Sequence, residues 1–375
     1  MTRADRFAPA HCPVLVVKIG SALLVDAAGQ VRRAWLEGVV EDIAAARAGG
    51  QRIIIVSSGA IALGARRLGL PQGGRASLED AQAAAATGQI ALSQCWAELL
   101  GDHGLTAAQM LLTLDDLEDR RRYLNASATF ARLLALGVVP VVNENDTVAT
   151  AEIRFGDNDR LAARVAQAAA ASGVILLSDV DGLYTANPQS DPSATLIEEV
   201  ATLDEAVMAM ADSGSASGMG SGGMVAKLLA ARIAHAAGAH LAIASGRRAH
   251  PLAAFLANGR GTIFPARGGS GARKAWLAGR LTARGRVLID AGAVKALSGG
   301  ASLLPAGATA IEGGFARGEV LDIAGPDGRT VARGLAEYDA EEARKVVGRR
   351  SAELAEVLGH APRAALVHRD HMVLL

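Results

Sequence analysis

Short runs of consecutive apolar residues, each closed by small or polar residues, set the rhythm of the first two thirds of the chain. Val14-Leu15-Val16-Val17-Lys18-Ile19-Gly20-Ser21 is β-branched and apolar on both faces, the pattern of a strand buried in a parallel sheet. Arg52-Ile53-Ile54-Ile55-Val56 repeats it and ends in Ser57-Ser58-Gly59. Val138-Val139-Pro140-Val141-Val142 ends in Asn143-Glu144-Asn145-Asp146, and the run Val174 to Tyr184 passes through Ser178-Asp179 to an Asp-Gly turn. Ala107 to Thr113 and Leu241 to Ser245 complete the set. Between them, helical spacing predicts helices near Ala34 to Ala48, Ile61 to Leu68, Leu78 to Leu100, Asp115 to Leu136, Arg160 to Ala171 and Leu228 to Ala237. Strands alternating with helices predict an α/β fold: an open, mostly parallel sheet sandwiched by helices.

The pattern changes near Pro265. Residues 266–286 hold Arg267, Arg273, Lys274, Arg280, Arg284 and Arg286 and no acid. Beyond them come short apolar runs between glycine-rich turns: Val287 to Asp290, Ser302 to Pro305, Glu319 to Ile323 and Thr330 to Arg333. Glu341 to Leu358 reads as a charged amphipathic helix and Ala364 to His368 as a last strand. Such short strands predict a small β-barrel. The expected division is a large domain over 1–265, a basic linker over 266–283 and a second domain over 284–375.

Composition narrows the function classes. The 375 residues suffice for roughly two domains. Formal net charge is +0, and only 3% of residues are aromatic, so neither a basic footprint nor an extensive stacking surface for nucleic acid is expected. Residues 284–375 are balanced as well, with twelve basic and twelve acidic side chains. Two cysteines, Cys12 and Cys95, fit a reducing compartment and no zinc site. With neither a signal-like leader nor an apolar span, a cytoplasmic location is expected.

The chemistry gathers at strand ends and helix starts. A lysine closing a buried strand is costly without an anionic partner, although it could also reach solvent along its stem. Gly218-Met219-Gly220-Ser221-Gly222-Gly223-Met224-Val225-Ala226-Lys227 is a glycine-rich loop entering a helix. It can aim backbone N–H groups, a helix dipole and a lysine at a phosphate; otherwise it is a flexible linker with a chance lysine. It is no dinucleotide fingerprint, because a loop and not a strand precedes it, and no Walker A loop, because Leu228 follows Lys227. The segments Asn143-Glu144-Asn145-Asp146 and Phe155-Gly156-Asp157-Asn158-Asp159 are turn-forming residues or, together, an acceptor-rich pocket. Ser57-Ser58-Gly59 serves as a helix cap, a ligand contact or both. Asp179, Asp181 and Gly182 lack the closing Glu of a calcium loop, and His368-Arg369-Asp370 lacks the Asn of a kinase catalytic loop. No nucleophile–histidine set is evident, and no protein metal ligand is assigned.

Parallel-sheet carboxyl ends share one edge, which would bring two lysines, a phosphate nest and a polar pocket together. These motifs resemble the glutamate 5-kinases of the amino acid kinase family: Val-Val-Lys-Ile-Gly-Ser at 16–21, Ser-Ser-Gly-Ala-Ile at 57–61, Asn-Glu-Asn-Asp at 143–146, Gly-Asp-Asn-Asp at 156–159, Gly-Leu-Tyr-Thr at 182–185 and Gly-Ser-Gly-Gly-Met at 220–224. Ser-Leu-Leu-Pro at 302–305 and Phe-Ala-Arg-Gly-Glu-Val at 315–320 resemble that family's PUA domain. The resemblance implies ATP-dependent phosphorylation of the L-glutamate γ-carboxylate to L-glutamyl 5-phosphate, the first step of proline biosynthesis. It implies that Lys18 and Lys227 bind ATP phosphates and that Asp159 holds those lysines. Ser58, Gly59, Asn143, Asp146, Asp157 and Asn158 would bind glutamate. Ser178, Asp179, Ser221, Gly222, Gly223, Met224, Val225, Ala226 and Lys227 would line the ATP site. Mg²⁺ accompanying ATP, feedback inhibition by proline and a homo-oligomer (dimer or tetramer) are further implications. The competing readings are a related enzyme acting on another carboxylate, carbamate or phosphate acceptor, and a nucleic-acid-binding protein with a degenerate kinase domain.

Overall fold

The computed structural model describes residues 2–26, 28–148, 158–212, 223–266 and 283–375. One compact unit takes Met1–Glu118 and Ala126–Arg267; the other takes Asp119–Asn125 and Gly268–Leu375.

In the first unit the apolar runs become β1 (Val14–Ile19), β2 (Arg52–Ser57), β3 (Ala107–Leu112), β4 (Val139–Glu144) and β5 (Gly173–Ser178). A two-stranded hairpin follows, β6 (Leu183–Tyr184) with β7 (Leu196–Ile197), then β8 (His240–Ser245) and β9 (Thr262–Phe264). Seven of them form one sheet in the order β3-β4-β2-β1-β5-β8-β9. All pairs are parallel except β8–β9. β1, β4 and β5 are buried along their whole length, which explains their unbroken apolar runs.

Strand alternation sorts the two faces. Leu15, Val17 and Ile19 share a core with Trp35, Leu36 and Val39 of the Arg33–Ala48 helix, and with Leu92 and Trp96 of the Leu78–Gly101 helix. Val14, Val16 and Lys18 therefore face the other way, the side on which the Asn158–Ala168 helix packs against β1. The Met224–Ala236 helix packs beside it, with Ala230 and Ala231 among its buried residues.

In the second unit β10 (Gly285–Ile289), β11 (Ala308–Gly313), β12 (Val320–Ala324), β13 (Thr330–Leu335) and β14 (Met372–Leu374) form one sheet, ordered β11-β10-β12-β13-β14. Val287, Ile289, Ile323, Tyr338 and Val367 lie in its core.

Several local readings need correction. The expected Asp115–Leu136 helix is two helices, Leu114–Glu118 and Arg120–Ala135, because the Asp119 carboxylate accepts from the Arg122 N–H and caps a new start. The Glu341–Leu358 helix is interrupted: Ala340–Val346 ends where Gly348 takes φ +74°, and a new helix spans Leu354–Leu358. Ser302–Pro305 and Ala364–His368 are not strands; they meet in one bridge, Leu303 to Val367, and the last strand is β14. The run expected from Val174 to Tyr184 ends at Ser178, and the polar insertion after it carries the β6–β7 hairpin. Among the described residues no helix is long and apolar enough to cross a membrane.

Candidate active site

The register β1–β2 pairs Ile19 with Ser57, and β5–β8 pairs Ser178 with Ser245, so the polar residues after these strands lie along one sheet edge. β1 lies centrally, between β2 and β5, with its carboxyl end open to chemistry from both sides.

Lys18 ends β1, Asp159 is the second residue of the Asn158–Ala168 helix, and Lys227 lies in the first turn of the Met224–Ala236 helix, which Gly223 caps. The three meet. Lys18 Nζ is 2.6 Å from Asp159 Oδ1, and Lys227 Nζ donates to Asp159 Oδ2 at 3.0 Å. All are buried, Asp159 to 1% exposure and each lysine to 6%. Burial alone would raise the Asp159 carboxyl's pKa; the two ammonium groups outweigh it and hold the group ionised, below its ordinary range. Two ammonium groups converge on one carboxylate in a buried, low-dielectric setting, where both can act strongly on an incoming anion.

A neutral network adjoins the charged one. Asn158 Nδ2 donates to Ser58 Oγ at 2.9 Å and to Asn143 Oδ1 at 3.0 Å. Asn143 Oδ1 also accepts from the Glu144 N–H at 2.9 Å, and Asn143 Nδ2 donates to Gln89 Oε1 at 2.8 Å. With both Nδ2 hydrogens used, Asn158 Oδ1 is buried with no donor. Asp146 Oδ1 is buried and without a donor as well. Burial pushes the Asp146 carboxyl up to about 6, against a smaller opposing pull from Arg75. Two unmet buried acceptors call for a ligand that brings hydrogen-bond donors, preferably a cation.

Gly59 adopts φ +110° and caps the Ala60–Leu68 helix, a conformation glycine allows at little cost. A Cβ at that position would also meet Leu24 at 3.0 Å. Ser178 Oγ donates to Asp179 Oδ1 at 3.0 Å at the end of β5, with Ser178 buried and Asp179 exposed. Met224, Val225 and Ala226 are half-buried in the first turn that carries Lys227. Asp157, Ser221 and Gly222 lie outside the described residues. Among the described residues no three His, Cys, Asp or Glu side chains cluster as a metal site. The two converging ammonium groups suit an anion such as a phosphate.

Sequence reading missed Gln89 altogether. It sits mid-helix in an alanine-rich stretch with no turn or strand-end signal.

Comparison with known proteins identifies the family. Residues 13–245 match the amino acid kinase family and residues 285–358 match the PUA domain. The chain is 70% identical to a glutamate 5-kinase of Sphingopyxis alaskensis over 369 residues, covering 98% of this chain and 99% of the relative. It is 64% identical to a glutamate 5-kinase of Zymomonas mobilis, covering 98% of this chain and 93% of that one. Among solved structures, a Giardia lamblia carbamate kinase bound to AMP-PNP superposes with a TM-score of 0.50 at 14% identity, over 68% of this chain and 99% of that one. That likeness speaks to the fold alone.

Proposed function

This chain belongs to the amino acid kinase family and carries a PUA domain, and from that premise we infer that it is a glutamate 5-kinase, transferring the γ-phosphoryl group of ATP to the side-chain carboxylate of L-glutamate. The observation that carries the reading is the buried Lys18–Asp159–Lys227 triad, two ammonium groups on one carboxylate, beside a polar pocket with two unmet acceptors.

In this reading Lys18 and Lys227 neutralise the charge on the transferring phosphoryl group, and Asp159 fixes both ammonium groups before the substrates arrive. Their preorganisation supplies the electrostatic work that phosphoryl transfer requires. The acceptor needs no general base: a γ-carboxylate, with a reference pKa of about 4.3, is already ionised at neutral pH. Ser58, Gly59, Asn143, Asp146, Asp157 and Asn158 are proposed to hold glutamate, with its ammonium supplying donors to Asp146 Oδ1 and Asn158 Oδ1. Ser178, Asp179 and residues 221–227 are proposed to line the nucleotide site. Mg²⁺ is proposed to enter with the nucleotide on its phosphate oxygens. The reading extends to a cytoplasmic homo-oligomer, dimer or tetramer, inhibited by proline as end product; what supports these is the family resemblance.

The test is ATP turnover by the purified protein, with the acyl phosphate trapped as a hydroxamate. L-glutamate is expected to give product, and N-acetylglutamate, D-glutamate and L-aspartate little. Turnover with N-acetylglutamate or carbamate in place of L-glutamate would transfer the protein to a different acceptor class.

A further inference from the structure

We propose that Gln89 is a positioning residue for the acceptor substrate: from outside the pocket, it sets which end of the Asn143 and Asn158 carboxamides faces the ligand. The proposal rests on the reading of that pocket as the glutamate site.

Gln89 reaches the pocket because two helices touch backbone to backbone. The Ala60–Leu68 helix, which starts at Ser58-Gly59, crosses the Leu78–Gly101 helix at Gly64 and Gly88. A Cβ on Gly88 would lie 1.9 Å from the Ala60 carbonyl oxygen, and one on Gly64 would lie 1.8 Å from that of Ala84. No larger residue fits this crossing without moving a helix. Gln89 follows Gly88 directly, so the crossing carries its side chain to Asn143.

The hydrogen bonds then have a direction. Gln89 Nε2 donates to Ser93 Oγ at 3.1 Å. The Ser93 hydroxyl lies 2.7 Å from its own acceptor, the Gln89 carbonyl oxygen, and 2.8 Å from Gln109 Oε1 on β3. With its amino end so engaged, Gln89 turns Oε1 to Asn143, where it accepts from Nδ2 at 2.8 Å. Asn143 must then present Oδ1 to the Glu144 N–H and to Asn158 Nδ2. Asn158 in turn spends its other hydrogen on Ser58 Oγ, which leaves Oδ1 as its free acceptor. An amide has chemically distinct ends, so a chain of amides transmits orientation. Ser93 and Gln89 are the upstream members of this chain. Without Gln89, Asn143 Nδ2 loses its acceptor and the carboxamide is held only at Oδ1, by the Glu144 N–H and Asn158; turning over would set donor against donor at Asn158 and, through Asn158, turn a donor toward the substrate.

The experiment measures kcat, KM for L-glutamate and KM for ATP in the full chain, for wild type, Gln89→Ala, Gln89→Met, Gln89→Glu, Asn143→Ala and the double variant Gln89→Ala/Asn143→Ala. Gln89→Ala is expected to raise KM for glutamate about tenfold, the size of one buried donor left unpaired, with KM for ATP within about twofold of wild type. Gln89→Met, which fills the space but cannot accept, should behave alike and serves if the alanine variant folds poorly. Gln89→Glu keeps an acceptor for Asn143 and should restore most of the affinity. The double variant should be no worse than Asn143→Ala alone, because the effect of Gln89 passes through Asn143. Additive losses, equal shifts in both KM values, or an unchanged glutamate KM in Gln89→Ala and Gln89→Met would each overturn the positioning role. An Asn143→Ala enzyme with unaltered glutamate KM, or a wild type inactive on L-glutamate, would instead overturn the reading of the pocket, and this proposal with it.

Discussion

Replacing Asp159 by Asn, set beside replacing Lys227 by Met, separates the stability of the charged triad from its use in catalysis. Asp159 is 1% exposed and lies 2.6 Å from the Lys18 ammonium and 3.0 Å from the Lys227 ammonium. Asp159→Asn removes the carboxylate that both ammonium groups meet and turns a neutral amide toward them. Removing the compensating partner of buried charge costs about 3–5 kcal/mol. At about 2–4 °C per kcal/mol for a domain of this size, melting should fall by about 6–20 °C. Lys227→Met should act differently. Losing this lysine keeps the Lys18–Asp159 pair at 2.6 Å and relieves the desolvation of the second ammonium. Its stability should stay within about 1 kcal/mol of wild type. Both variants should lose about 10²–10³-fold or more in kcat, since each disrupts preorganised charge at the phosphoryl group. The assays are thermal melting without nucleotide and hydroxamate formation at saturating substrates. An Asp159→Asn protein that melts within about 2 °C of wild type, or a Lys227→Met protein destabilised as severely as Asp159→Asn, would refute the pairing argument.

Three further outcomes follow from the same geometry. Lys18→Ala should lower kcat by about 10²–10³-fold in the hydroxamate assay, and near-normal turnover would remove its assigned role. Asp146 is held up near 6 by burial, so its ionised form declines as pH falls through that value; if it binds the substrate ammonium, KM for glutamate should rise below about pH 6 in wild type and lose that dependence in Asp146→Asn. Gly88→Val forces side-chain atoms into the Ala60 carbonyl, for which a Cβ would already lie 1.9 Å away; melting should drop by the equivalent of about 1–3 kcal/mol or more, with glutamate KM rising before ATP KM.

The sequence by itself determined the sheet and its chemistry-bearing edge. Consecutive β-branched residues can be accommodated only where both faces of a strand are covered, and that condition selects a parallel, helix-sandwiched sheet. Alternation along β1 then puts Lys18 opposite Val17 and Ile19, away from the Trp35 side of the core. Local capping rules were enough to foresee a helix start at the Ser57-Ser58-Gly59 turn, whereas the lysine helix begins at Met224, four residues before the expected Leu228. They were not enough at Asp119 and Gly348, where a side-chain cap and a positive φ break helices whose apolar spacing runs straight through.

Only the tertiary structure decided how the site is wired. Lys18, Asp159 and Lys227 are far apart along the chain, and nothing in their local spacing says that one carboxylate meets both ammonium groups; strand order and helix packing supply that. Gln89 is the sharper case. Its neighbours are small helix-forming residues that carry no local signal, and its role comes from two glycines in different helices whose backbones meet. Propensity and periodicity are set by a residue and its near neighbours, so they locate elements and their buried faces. Which polar atom is left without a partner depends on contacts between elements distant in sequence, and that information exists only once the chain has packed.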